Sequence, residues 1–182
     1  GRLLPEVLQM MDLVAEHDLA LSTGHSSPEE VLLLARAAKE RGMQRVFATN
    51  PTFPSLDMSV EQMVEAARLG VYIELIYYVL CMPGTRVTMK DYVDAVRAIG
   101  AERCILSSCG GQAWMPIHTF AWAELLTGMR EYGVTEEEID GYVASGRSVG
   151  ASGGYRLQRV GTDRYLRGAD GSSPNVVGRP LA

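Results

Sequence analysis

Five side chains able to do chemistry sit at or inside the ends of short apolar runs. His25 follows Gly24, whose backbone freedom permits a sharp turn. A neutral imidazole there could bind a metal or act as a base. The plainer reading is a histidine held by a loop carbonyl or capping the next helix. Asn50 precedes Pro51, so its amide either meets a polar substrate atom or starts a turn. Glu74 interrupts an apolar run. If buried, its pKa rises and it becomes a candidate acid or base; if the sheet edge is open, it faces water. Strand alternation puts Glu74 on the face shared with Tyr78 and opposite Tyr77, which makes Tyr78 a further pocket-lining residue. Cys109 precedes Gly110 and Gly111. A thiol at such a loop-to-helix step could have a lowered pKa and act as a nucleophile with His25 as its base, or it could be an inert half-buried cysteine. His118, beyond Trp114 and Pro116, either lines the same mouth or simply opens a helix, and His17 reads as structural.

These residues need elements to hold them. Residues 5–17 have apolar positions at helical spacing (Val7, Met10, Met11, Val14). Residues 19–23 form a short apolar run expected to be a strand. Ser27, Pro28 and Glu30 then spell an N-cap, a first-turn proline and a capping-box partner. Arg41 and Gly42 close that helix. The pattern repeats: a strand at 45–49, a capping box at Ser59 and Gln62, a helix to Gly70, a strand at 71–78, and a helix from Thr88 to Gly100. A strand at 104–108 follows, then helices at 118–132 and 136–144, the last capped by Thr135.

Strands beginning near 19, 45, 71 and 103 approach the roughly 31 residues per unit of an eight-unit barrel of about 250 residues. Strict alternation and continuously apolar strands predict an α/β fold with a parallel sheet covered by helices. In such folds sites form at the C-terminal ends of strands, where His25, Asn50, Tyr78 and Cys109 fall. Residues 1–150 are read as one domain. Residues 151–182, rich in Gly, Arg and Ser, are read as an irregular tail with a short strand at 155–160.

The net charge of −5 gives no basic field for nucleic acid or an anionic membrane. No apolar run is long enough to span a bilayer, and residues 3–14 have no signal-peptide shape. Three cysteines without a CxxC pair favour a reducing, cytoplasmic compartment.

The run from 21 to 25 ending in His25, the run from 45 to 51 ending in Asn50 and Pro51, and the run from 101 to 109 ending in Cys109 resemble the second half of an amidohydrolase-like metal-dependent hydrolase barrel, in particular the phosphotriesterase-related group. Residues 133–139 are similar to that family's closing helix. The resemblance implies a TIM-barrel-like half barrel, strands five to eight with their helices. It implies a divalent metal, expected to be zinc, activating water against an ester, amide or lactone. His25 takes the fifth-strand ligand position. Asn50 stands where the sixth-strand histidine is expected, and Cys109 where the eighth-strand aspartate is expected. The remaining ligands would lie upstream, so the chain is expected to be a C-terminal half with a degraded ligand set, since catalytic zinc usually has three protein ligands and a water.

Three functions follow as expectations. The first is that hydrolase, with His25 on the metal, Cys109 assisting catalysis, and Asn50, Tyr78, Glu74 and His118 around a small-molecule substrate. The second is a non-catalytic small-molecule-binding or assembly protein on the same scaffold. The third is a cysteine enzyme using Cys109 and His25. Half a barrel leaves sheet edges and an apolar inner face uncovered. Homo-oligomerisation, or a complementing N-terminal half barrel, is therefore expected. Sedimentation velocity checks this: the expected result is a dimer, a larger assembly or aggregation, and a monodisperse monomer would count against it.

Overall fold

The computed structural model describes residues 1–135. The expected helix at 136–144, the short strand at 155–160 and the boundary near 150 lie outside the described residues. The chain alternates as predicted: α1 (Pro5–Glu16), β1 (Leu21–Ser22), α2 (Pro28–Glu40), β2 (Val46–Ala48), α3 (Val60–Arg68), β3 (Tyr72–Ile76), a one-turn helix α4 (Tyr77–Cys81), α5 (Met89–Ile99), β4 (Cys104–Ser107) and α6 (His118–Glu131). The fold is α/β with a four-stranded parallel sheet in the order β1-β2-β3-β4.

Sequential order matters for function. All strands point the same way, so all four C-terminal ends lie along one rim. Right-handed crossovers between neighbouring parallel strands place the connecting helices on the same face. Accordingly α2 packs on α3, α3 on α5 and α5 on α6. Beneath this layer lies the core: Val46, Ala48, Ile73, Leu75 and Leu106 from the strands, with Ala35, Met63, Tyr92 and Leu125 from the helices. Complete burial of Ile73 and Leu75 contributes about 1.5–3 kcal/mol each.

Register fixes the second face. Phe47 pairs with Tyr72, Glu74 with Ile105, and Ile76 with Ser107. These alternate with the core-facing residues and so share the opposite side of the sheet. That side is covered towards the rim, where Ile76 and Ser107 are fully buried. It opens away from it, where Phe47, Tyr72 and Ile105 are half-buried.

Three of the helices that follow strands start as the sequence dictates. Ser27 with Glu30, Ser59 with Gln62 and Thr88 with Asp91 each form a complete capping box. Each anchors the far end of a loop leaving the rim.

The strands are shorter than expected. The third stops at Ile76 instead of running to residue 78, because the chain turns helical at Tyr77. The alternation argument therefore does not reach Tyr78, whose place is set by α4. The Tyr92 hydroxyl marks this stop: it donates to the Ile76 carbonyl at 2.9 Å and lies 3.0 Å from Thr52 Oγ1 in the loop after β2. Without it a buried carbonyl at the strand end loses its donor. Tyr92→Phe is expected to cost about 1–3 kcal/mol, read in urea denaturation as a lower midpoint with an unchanged slope.

Candidate functional site

The rim is stitched strand to strand. Between β1 and β2, the Thr49 N–H donates to Thr23 Oγ1 at 3.3 Å, and the Ser22 and Thr49 hydroxyls are hydrogen-bonded. Between β2 and β3, the backbone of Asn50 acts on the Glu74 carboxyl and favours its charged form. Between β3 and β4, the Ser107 hydroxyl donates to Glu74 Oε1 at 2.9 Å, and the Tyr78 N–H donates to the Ser108 carbonyl at 3.2 Å. Glu74 thus lies in the middle of the rim, bonded to Ser107 on one side and influenced by the backbone of Asn50 on the other.

Glu74 is 5% exposed, which overturns the reading in which it faces water. Burial holds its carboxyl above the usual carboxylate range; the bonds from Ser107 and Asn50, which favour the charged form, offset this only in part. The same charge and its surroundings act on the neighbours. Burial, and then the proximity of Glu74, push the Cys109 thiol up. This is opposite to the lowered value a nucleophilic cysteine needs, and it removes support from the cysteine-enzyme reading.

Two strained residues shape the rim. Asn50 has φ +51° and Cys109 φ +46°, both left-handed. Asparagine tolerates this better than most residues, whereas cysteine does so at a cost of order 1–3 kcal/mol. Asn50 also turns its side chain to β1, with Nδ2 at 3.4 Å from His25 Nε2.

Above the polar floor runs a row of rings, one from each strand-end segment. His25 meets Phe53 edge-on at 5.9 Å, Phe53 lies parallel to Tyr78 at 6.3 Å, and Tyr78 meets Trp114 at 5.4 Å. His25 and Trp114 are exposed; Phe53 and Tyr78 are half-buried.

Five of the six expected site residues, His25, Asn50, Glu74, Tyr78 and Cys109, therefore belong to one rim. His118 does not join them: it opens α6, is exposed, and no hydrogen bond or ring contact ties it to the cluster. Phe53, Ser107 and Trp114 were not singled out by sequence. The first and last carried a weak signal, an aromatic side chain in each of two loops rich in Pro, Ser or Gly.

The residues do not fit a metal centre. Among the described residues no three His, Cys, Asp or Glu side chains converge to hold an ion. His25 already faces the Asn50 amide, Glu74 is engaged by Ser107 and Asn50, and the Cys109 thiol is disfavoured as thiolate. What the arrangement does offer is a row of aromatic rings beside a buried carboxyl whose pKa burial raises. The strand-end loops at 23–27, 49–59, 82–88 and 108–117 contain one basic residue, Arg86.

A family of unknown function (DUF6282) matches residues 1–74. That stretch includes His25, Asn50 and Glu74 and ends before Tyr78, Ser107 and Cys109. Three curated relatives are similar over short stretches, each a dTTP/UTP pyrophosphatase. The protein of Syntrophotalea carbinolica is 33% identical over 87 residues, 42% of this chain and 39% of its own length. That of Rhodopseudomonas palustris is 39% identical over 66 residues, 36% of this chain and 31% of its own length. That of Sphingopyxis alaskensis is 50% identical over 44 residues, 24% of this chain and 23% of its own length. The chain thus spans less than two fifths of these relatives. No solved structure gives a significant match.

Glu74 makes stability depend on pH. In the unfolded chain it releases its proton near the ordinary value of about 4.3, and in the fold it holds it to higher pH. Its contribution is complete below the unfolded value and is lost as pH rises through the folded one. Glu74→Gln lacks this loss. Denaturation of the two proteins between about pH 4 and pH 8 should show the stability difference moving steadily in favour of the variant.

Proposed function

We propose that this chain binds a small organic molecule on the aromatic row at the strand ends, as a non-catalytic protein on a TIM-barrel-like half barrel. The row His25–Phe53–Tyr78–Trp114 carries the reading: four rings from four successive strand-end segments form one surface at the place where parallel α/β folds bind ligands. The half-barrel part is supported by the sequential strand order and the single layer of helices. The half-buried Phe47, Tyr72 and Ile105 on the second face, with exposed Leu4 and Leu13 on α1, support completion by a second copy or a complementing half barrel. Three free cysteines suit a cytoplasmic setting. No helix among the described residues is long and apolar enough to cross a membrane.

A second reading, metal-dependent hydrolysis of an ester, amide or lactone, is favoured by His25 alone, an imidazole just past the end of β1. It requires donors that the described residues do not bring together. Metal analysis of the wild type against His25→Ala tests it: stoichiometric metal lost in the variant would restore the hydrolase. The names of the pyrophosphatase relatives suggest nucleoside triphosphates as a third class, and a rim with one basic residue in its loops offers little to a polyanion.

Two-dimensional NMR of the full chain against a library of small aromatic and amine fragments tests the binding reading. Binders are expected to shift resonances of His25, Phe53, Tyr78 and Trp114 and to leave those of α1 in place. Binders that cluster away from the rim, or none at all, would end it.

A further inference from the structure

Resting on that reading, we propose that the ligand of the aromatic row is a small organic cation of the quaternary or methylated ammonium type. Four observations lead to it. Ring faces carry negative electrostatic potential, and a cation within about 6 Å of several centroids is attracted by each. Here His25, Phe53, Tyr78 and Trp114 follow one another at centroid spacings of 5.9, 6.3 and 5.4 Å, close enough for one small ligand to touch more than one ring.

The acid of the rim belongs to the same strand ends. The backbone of Asn50 acts on Glu74, the side-chain amide of Asn50 reaches His25, and Glu74 acts electrostatically on Cys109. A bound cation favours the carboxylate, so Glu74 supplies a counter-charge when it is needed.

The polar groups of the floor are already paired with one another. Asn50 Nδ2 faces His25 Nε2, Ser107 Oγ donates to Glu74, and the Tyr78 N–H donates to Ser108. A ligand that must form several hydrogen bonds would have to break these. A tetra-alkylammonium group makes no such demand, and it fits the surface that remains, which is aromatic. Finally, the strand-end loops hold a single basic side chain, Arg86, and the whole chain carries −5, so the surrounding field does not oppose a cation.

Choline and its uncharged isostere 3,3-dimethylbutan-1-ol, titrated calorimetrically into the full chain, separate charge from shape. Choline is expected to bind about tenfold or more tightly than the isostere. Trp114→Ala and Phe53→Leu, each checked for an unchanged fold by circular dichroism, should weaken choline several-fold, and Glu74→Gln should narrow its advantage over the isostere. Equal binding of the two compounds overturns the cation assignment, as does the absence of choline binding. If uncharged aromatic fragments still shift the four rings in that case, small-molecule binding stands and only the ligand class falls. If no compound binds at the rim, both fall together.

Discussion

A buried carboxylic acid at the middle of the rim is the constraint on which the other features depend. Glu74 lies on the sheet face away from the helices, accepts from Ser107 on β4, and feels the backbone of Asn50 after β2. An acid removed from water must keep its proton or find strong partners. The local geometry follows from this need. Asn50, whose backbone acts on Glu74, adopts a left-handed conformation from which its side chain reaches His25. Burial, and then the proximity of Glu74, push the neighbouring Cys109 thiol up.

The sheet makes this arrangement available. Four parallel strands in sequential order bring their C-terminal ends into one line, so one polar or aromatic side chain per segment is enough to build a continuous surface. The capping boxes at Ser27, Ser59 and Thr88 fix where three loops end, and the Tyr92 hydroxyl fixes where β3 ends. Between these anchors the loops have short spans in which to place His25 and Phe53, while α4 places Tyr78.

Features governed by local chemistry were legible in the sequence. Capping boxes need partners three residues apart, and the structure has those at Ser27 and Ser59 where the spacing put them, with a third at the helix start read at Thr88. The strand runs around Leu21, Val46, Ile73 and Leu106 were likewise visible as apolar blocks between helix signals, and so was the clustering of His25, Asn50, Tyr78 and Cys109. What failed was non-local. The end of β3 depends on Tyr92, sixteen positions beyond Ile76. The state of Glu74 depends on Ser107, thirty-three positions away, and no periodicity announces that pairing. Phe53 and Trp114 are aromatic residues in loops, and only the register of neighbouring strands shows that they continue one row of rings. The partners of His25 and Glu74 were equally hidden: the imidazole lies beside the Asn50 amide, twenty-five positions on, and the carboxyl accepts from Ser107.

The account is tested most directly by following the side-chain carboxyl carbon of Glu74 through a pH titration by NMR, with Glu74→Gln to assign the signal. The expected result is a midpoint clearly above the ordinary glutamate value of about 4.3. A Glu74 signal that titrates at that ordinary value would show a solvated carboxylate and contradict its burial at the rim.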